Sequence, residues 1–227
     1  MDTAIQTIKN RYPLSCEPYF KALAEGTFER NDFIETQIQF FHAVAWFPRA
    51  MSHLLPRLQS SEARLGILDN ISEEYGTVGT GHAHVNTFQN FLASLRVPAT
   101  AIDSRVQWPE VRTFNLALSG AGSYADCSMA LAALGMIEDL FSGISEYIAK
   151  AMVERGWLTE QMLHHYSVHA SLDIEHAGMF YRCVKADWNR GRQHQASVSA
   201  GLELGASLLM QLYRNLYENR KRRWTLT

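Results

Sequence analysis

The chain has 227 residues, 47% of them hydrophobic and 11% aromatic, so it is long enough to bury a sizeable core. A formal net charge of −2 leaves no basic excess to neutralise phosphates, which argues against nucleic acid as a partner. Three widely spaced cysteines, Cys16, Cys127 and Cys183, form no CxxC pattern and exclude a disulfide framework or a zinc knot; with no basic-then-apolar start, the chain reads as cytoplasmic.

Almost every segment has helical periodicity, and none alternates convincingly with period two. In chain order, Asp32-Phe-Ile-Glu35 resembles a capping box opening a helix that carries Phe33, Gln37, Phe40, Phe41, Val44 and Phe47. Gln37, Gln39 and His42 place polar groups on this aromatic helix. They read either as a solvated edge or as a grip for an ammonium or carboxylate. Residues 61–75 form a second helical stretch, interrupted by Gly76, Gly79 and Gly81. The pattern resumes at His82, runs to Leu95 and closes at Val97-Pro98. A polar loop is expected to lead from there to Trp108-Pro109.

Ser123-Tyr-Ala-Asp126 is a second capping-box pattern, opening a long helix to about Glu154 with Leu134, Ile137, Phe141, Ile144 and Ile148 on its inner face. Its apolar run from Met129 to Ile137 is too short to span a bilayer, so no membrane association is expected. Glu138 lies on the inner face, where a carboxylate needs a cationic partner or a metal. Asp139 falls on the more polar, solvated edge. Gly156-Trp157 ends this helix, and Thr159 is expected to cap the next.

That next helix holds the most telling stretch, His169-Ala-Ser-Leu-Asp173-Ile-Glu-His176. Positions i, i+4 and i+7 share one helical face, and the stripe continues through Met162 and Tyr166 on one side and Phe180 and Val184 on the other. A single buried histidine is commonly a satisfied core residue, and an Asp–His pair can bond to itself. Three ionisable groups in one apolar stripe each need a partner, and a metal supplies one for all of them. After Gly191 a last helix carries Leu202, Leu204, Leu208, Leu209, Leu212 and Leu216. It ends in Arg-Lys-Arg-Arg at 220–223, read as complementing the helix dipole and solvating the tail. With no repeat and no boundary, residues 1–227 read as a single all-α bundle of roughly seven or more helices.

The glycine-rich segment Glu73-Glu74-Tyr-Gly…His82-Ala-His84 is a weak signal alone, and no phosphate loop follows from it. It can supply missing ligands. Glu74 and His84, with Glu138, His169, Asp173 and His176, make three carboxylates and three imidazoles. That donor set suits two first-row metals with open positions better than a closed structural zinc site.

Three motifs in this order along nearly the whole chain resemble the haem-oxygenase-like diiron oxidases and oxygenases, relatives of the thiaminase-II and PQQ-synthesis fold. The motifs are Glu74-Tyr-Gly with His84, followed by Phe88 and Phe91; the lone Glu138 of the central helix; and His169-x3-Asp173-x2-His176. The resemblance implies a haem-free bundle in which Glu74, His84, Glu138, His169, Asp173 and His176 hold two Fe(II) ions, with O2 as cosubstrate. Glu73 and His82 compete with Glu74 and His84 for the first motif. Some members that oxygenate nitrogen use an extra carboxylate from an earlier helix; the counterpart here, Glu35, is equally explained as a capping residue. The resemblance further implies oxidation of a small amino-acid-type substrate in specialised biosynthesis, with oxidative decarboxylation of a fatty acid as the alternative. A pocket between residues 33–47, 123–154 and 160–188 would then be lined by Phe40, Phe41, Phe47, Tyr166 and Phe180, with Gln37 and His42 as polar contacts, although each aromatic reads more readily as ordinary core. A metal-free thiaminase-II-like hydrolase using Cys127 and a non-catalytic helical binding protein stand as other classes. A homodimer is left open.

Overall fold

Asp126 shows how this sequence starts a helix: its carboxylate accepts from the backbone N–H of Ser128 at 3.0 Å and Met129 at 3.3 Å. The helix it opens, Cys127–Glu154, is the axis of a computed structural model that describes residues 1–76 and 83–226. In chain order the helices are α1 (Asp2–Arg11), α2 (Pro18–Ala24), α3 (Arg30–Val44), α4 (Phe47–Ser52), α5 (Ser61–Tyr75), α6 (His84–Ser94), α7 (Ala99–Ser104), α8 (Pro109–Tyr124), α9 (Cys127–Glu154), α10 (His164–Trp188) and α11 (Arg192–Glu218). Short 3-10 turns occupy Leu14–Cys16, Leu55–Arg57 and Glu160–Met162. No strand occurs among the described residues, and Arg105 and Thr225 form one isolated bridge. The all-α bundle expected from periodicity is the fold observed.

By length and composition α9 could cross a membrane, a test that the apolar run alone failed; 78% of its most apolar window is buried inside the bundle. Both α10 and α11 pack along it. A Cβ on Gly135 would sit 2.8 Å from Phe180 Cβ, so α10 crosses α9 at close range there. On the other side, Cβ atoms on Gly201 and Gly205 would meet the carbonyl oxygens of Met129 and Ala133 at 2.1 and 2.2 Å. Glycine lets the backbones of α9 and α11 touch.

Several expected boundaries shift. No capping box forms at Asp32–Glu35, because α3 begins at Arg30 and both acids are instead paired with arginines. Ser123 lies in the last turn of α8, and Asp126 alone caps α9. Thr159 caps no α-helix: a 3-10 turn intervenes, α10 starts at His164, and Met162 is 48% exposed rather than part of the stripe. The expected loop before Trp108 contains α7. Asp139 is not solvated but partly buried, bound by Lys9 Nζ at 2.5 Å and by the Tyr181 hydroxyl at 3.0 Å.

The tail also departs from expectation. Arg222 pairs with Glu110 at 2.9 Å and lies over the rings of Trp108 and Trp224. Arg223 binds Asp32 at 2.7 Å and approaches Glu35 at 3.5 Å, while Arg105 grips Glu35 at 2.9 Å. Backbone bonds from Val106 N to Trp224 O and from Leu226 N to Ser104 O complete a strap across the ends of α3, α7 and α8.

Candidate metal centre

Four helices supply the centre. Glu138 lies mid-way along α9, and His169, Asp173 and His176 follow one face of α10; all four are buried. Glu74 is at the end of α5, which Gly76 terminates at φ +68°, a conformation that favours glycine. A Cβ there would also strike Ala83 N at 2.4 Å. The chain on either side of residues 77–82 therefore meets at Gly76 and Ala83, and His84, the first residue of α6, comes to Glu74. His84 Nδ1 lies 2.9 Å from Glu74 Oε1, and both side chains are buried.

The six residues form one cluster. Ligand atoms of Glu74, Glu138 and His176 lie within 4.8 Å of one another. His176 Nδ1 is 3.7 Å from Glu138 Oε1, His169 Nδ1 is 2.7 Å from Asp173 Oδ1, and the His84 and His169 ring centroids are 4.3 Å apart. Of the two adjacent acids, Glu74 faces this cluster. Glu73 is 51% exposed and accepts from the outer nitrogen of His176, Nε2, at 2.5 Å. His82, the competitor of His84, lies outside the described residues. Glu35 is committed to Arg105 and Arg223.

The polar atoms left over test whether a metal fits. Glu138 Oε1, His169 Nε2, Asp173 Oδ2 and His176 Nδ1 are all buried without a hydrogen-bond partner. A buried, unpaired polar atom costs about 1–3 kcal/mol, and four in one cluster call for a common partner. They are oxygen and imidazole nitrogen atoms, the donors that iron accepts. Both α10 histidines are also held from behind or beside, His169 by Asp173 and His176 by Glu73, as ligand histidines require.

The local field is divided. Burial pushes the Asp173 carboxyl up, and the neighbouring Glu138 and Glu74 carboxylates push it further. Burial and the His84 imidazole drive His169 down to about 4. For His176 burial acts downward, but Glu138, Glu73 and Glu74 outweigh it and lift the imidazole to about 10. In the Glu74–His84 pair burial opposes charge on both groups, yet their mutual attraction prevails, leaving Glu74 below and His84 above the ordinary value.

A narrow cavity of about 50 Å³ ends at this cluster. Glu74, Glu138, His165 and His169 form its polar end, and Phe40, Val44, Phe47, Phe114, Phe141 and Leu209 line its apolar walls. Of the residues expected to line a substrate pocket, Phe40 and Phe47 line the cavity. Gln37 is turned elsewhere, accepting from Tyr166 Oη at 2.5 Å and donating to Tyr19 Oη at 2.7 Å. Neither it nor Gln39, which binds the Val106 carbonyl and the Trp108 N–H, is a solvated edge residue. Phe41, Tyr166 and Phe180 are buried in the surrounding core, and His42 is half-buried beside Phe41. Cys127, the nucleophile of the hydrolase alternative, sits in the first turn of α9 with Sγ 3.8 Å from the Arg57 carbonyl, apart from the cavity lining.

Two residues of this region escaped the sequence reading. His165 stands one turn before His169, beside Tyr166 of the apolar stripe. Asn70 stands one turn before Glu74, buried with neither amide atom hydrogen-bonded. The i−4 spacing from a ligand was available as a signal in both cases.

Fold and site together define a haem-oxygenase-like helical protein with a buried carboxylate–imidazole cluster. Solved structures match over almost the whole chain. A domain of unknown function with a haem-oxygenase-like fold from Shewanella denitrificans has a TM-score of 0.76 at 15% identity, covering 95% of this chain and 91% of that one. A TenA homologue from Pseudomonas syringae pv. tomato gives 0.74 at 15% identity, covering 94% and 92%. A CADD-like protein of unknown function from Nostoc punctiforme gives 0.74 at 16% identity, covering 96% and 95%. At these identities the likeness is one of fold. The family described as iron-containing redox enzymes matches residues 35–210, and the chain belongs to that family. No curated protein matches it.

Proposed function

We propose that this chain is a non-haem diiron enzyme that uses O2 to oxidise a small, amino-acid-type substrate with a hydrophobic body. One observation carries the reading: four unpartnered donor atoms, on two carboxylates and two imidazoles, lie in a buried cluster with Glu74 and His84 that abuts an apolar cavity. Glu74, Glu138 and His176, with His84, His169 and Asp173, would hold the metals. Two ferrous ions would supply reduction of O2 and, through it, removal of hydrogen from the substrate or transfer of oxygen to it.

The chain's own work is binding and exclusion. Phe40, Val44, Phe47 and Phe114 give the substrate body an apolar wall and keep water from the reacting end. Asp173 and Glu73 fix the rings of His169 and His176. The slot's small volume favours an amino-acid-sized body. The alternative, a fatty acid, has its own support: no Lys or Arg lines the cavity among the described residues, so a substrate with one polar head directed at the metals is easier to seat than one with two charges.

The test is O2 uptake by the full chain loaded anaerobically with two equivalents of Fe(II), against a pool of amino acids and then one of fatty acids. Acceleration by hydrophobic amino acids is the expected result; acceleration by fatty acids alone moves the substrate to the alternative. Glu138→Ala and His176→Ala should lose iron and O2 uptake while the helical circular dichroism survives. Hydrolytic activity that persists under chelation and vanishes in Cys127→Ala would replace this reading with the hydrolase.

A further inference from the structure

His165 is buried at the polar end of the cavity, one turn before His169 on α10. Its Nδ1 lies 2.9 Å from Thr87 Oγ1, and that hydroxyl spends its only proton on the His84 carbonyl at 3.0 Å. The imidazole is therefore the donor, which places its proton on Nδ1 and a lone pair on Nε2. Nε2 is buried and has no partner. His169 repeats this arrangement, with Nδ1 engaged by Asp173 and Nε2 unpartnered; His176 has it reversed, with Nε2 engaged by Glu73 and Nδ1 unpartnered. One nitrogen held by an outer partner and the other left bare is the state in which a histidine binds metal. The ring centroids of His165 and His169 are 4.3 Å apart, the same separation as His84 and His169.

Resting on the diiron reading above, we propose that His165 Nε2 is a further nitrogen ligand of the centre. The donor set becomes four imidazoles and three carboxylates. Glu74, Glu138 and His176 offer ligand atoms within 4.8 Å of one another, and His165 adds its nitrogen on the side of His169. Thr87 is a positioning residue that acts through the His165 ring.

Co(II) titration of the metal-free full-length chain tests this, read by visible d–d bands and by the number of ions retained on dialysis. Wild type should retain two ions. His165→Ala should weaken one of them by at least about tenfold and change its bands, and added imidazole should restore both affinity and spectrum, which a purely structural role would not allow. Thr87→Val should weaken the same ion more mildly. A second measurement avoids dependence on a folded alanine variant. In 15N-histidine-labelled protein loaded with Zn(II), the His165 Nε2 resonance, identified by its absence in His165→Gln, should move to a metal-bound position. Unchanged affinity and bands in folded His165→Ala, or an unmoved His165 resonance on loading, overturns the inference and leaves the diiron reading intact. Wild type that binds no Co(II) overturns both.

Discussion

Charge in the candidate metal centre is balanced among neighbours, because all six of its side chains are buried. Asp173 is fully buried, and burial together with the neighbouring Glu138 and Glu74 pushes its carboxyl well above its ordinary range. His176 keeps a proton up to about pH 10, and His84 is also raised. Metal ligands must shed these protons. The protonated form belongs to the metal-free state, so lowering the pH favours that state and raising it favours binding. Loading the metal-free chain at pH 7 should thus release protons, that of His176 among them, and affinity should fall as the pH drops from 8 to 6. Calorimetry in buffers of different ionisation enthalpy counts the protons; no net release would contradict ligation by His176 and Asp173. The α10 triplet and Glu138 were legible beforehand because long, regular helices fix the phase of every side chain. Glu73 and Glu74 were not separable, since at a helix end either acid can be the inward one. His165 was hidden by position: two adjacent histidines at a helix start look like a solvated terminus.

At the scale of elements, the centre depends on how closely α9 is gripped. Replacing a helical glycine by alanine ordinarily gains up to about 1 kcal/mol of helix propensity. In Gly205→Ala the new Cβ would lie 2.2 Å from the Ala133 carbonyl oxygen, a backbone atom that cannot swing aside. Overpacking should win, with a net loss of about 1–3 kcal/mol visible as a lower midpoint in thermal unfolding. Gly120→Ala, in the open on α8, is the control and should be neutral or stabilising. The same contrast explains which boundaries the sequence misplaced. Capping boxes were read from residue type alone at Asp32 and Ser123, whereas tertiary pairing with arginines claims the first and the end of α8 absorbs the second. Asp126 was within reach of the pattern because its cap is made locally.

For the molecule as a whole, the arginine-rich tail is a structural member. Glu35 is buried at 2% exposure and answered by Arg105 and Arg223. Removing one partner of a buried ion pair typically costs about 3–5 kcal/mol; Arg105 is partly exposed and Arg223 remains at 3.5 Å, so Arg105→Ala should lose about 2–3 kcal/mol. Urea unfolding measures it, and a loss under about 0.5 kcal/mol would show that Glu35 needs only one arginine. None of this was readable from the run Arg-Lys-Arg-Arg, because its acidic partners lie in distant α3 and α8.

The donors of the centre belong to two mechanical parts. Glu138, His169, Asp173 and His176 ride on the tightly packed α9–α10 pair, whereas Glu74 and His84 arrive on α5 and α6, which lie outside that pair. Bound metal would clasp the second part to the first, adding binding energy to whichever closed state holds the ions. Hydrogen exchange should slow on metal loading chiefly along α5 and α6, with α9 and α10 little changed. The chain would then announce its iron status at its own surface, since a clasped α5–α6 arm resists a protease and an unclasped one does not.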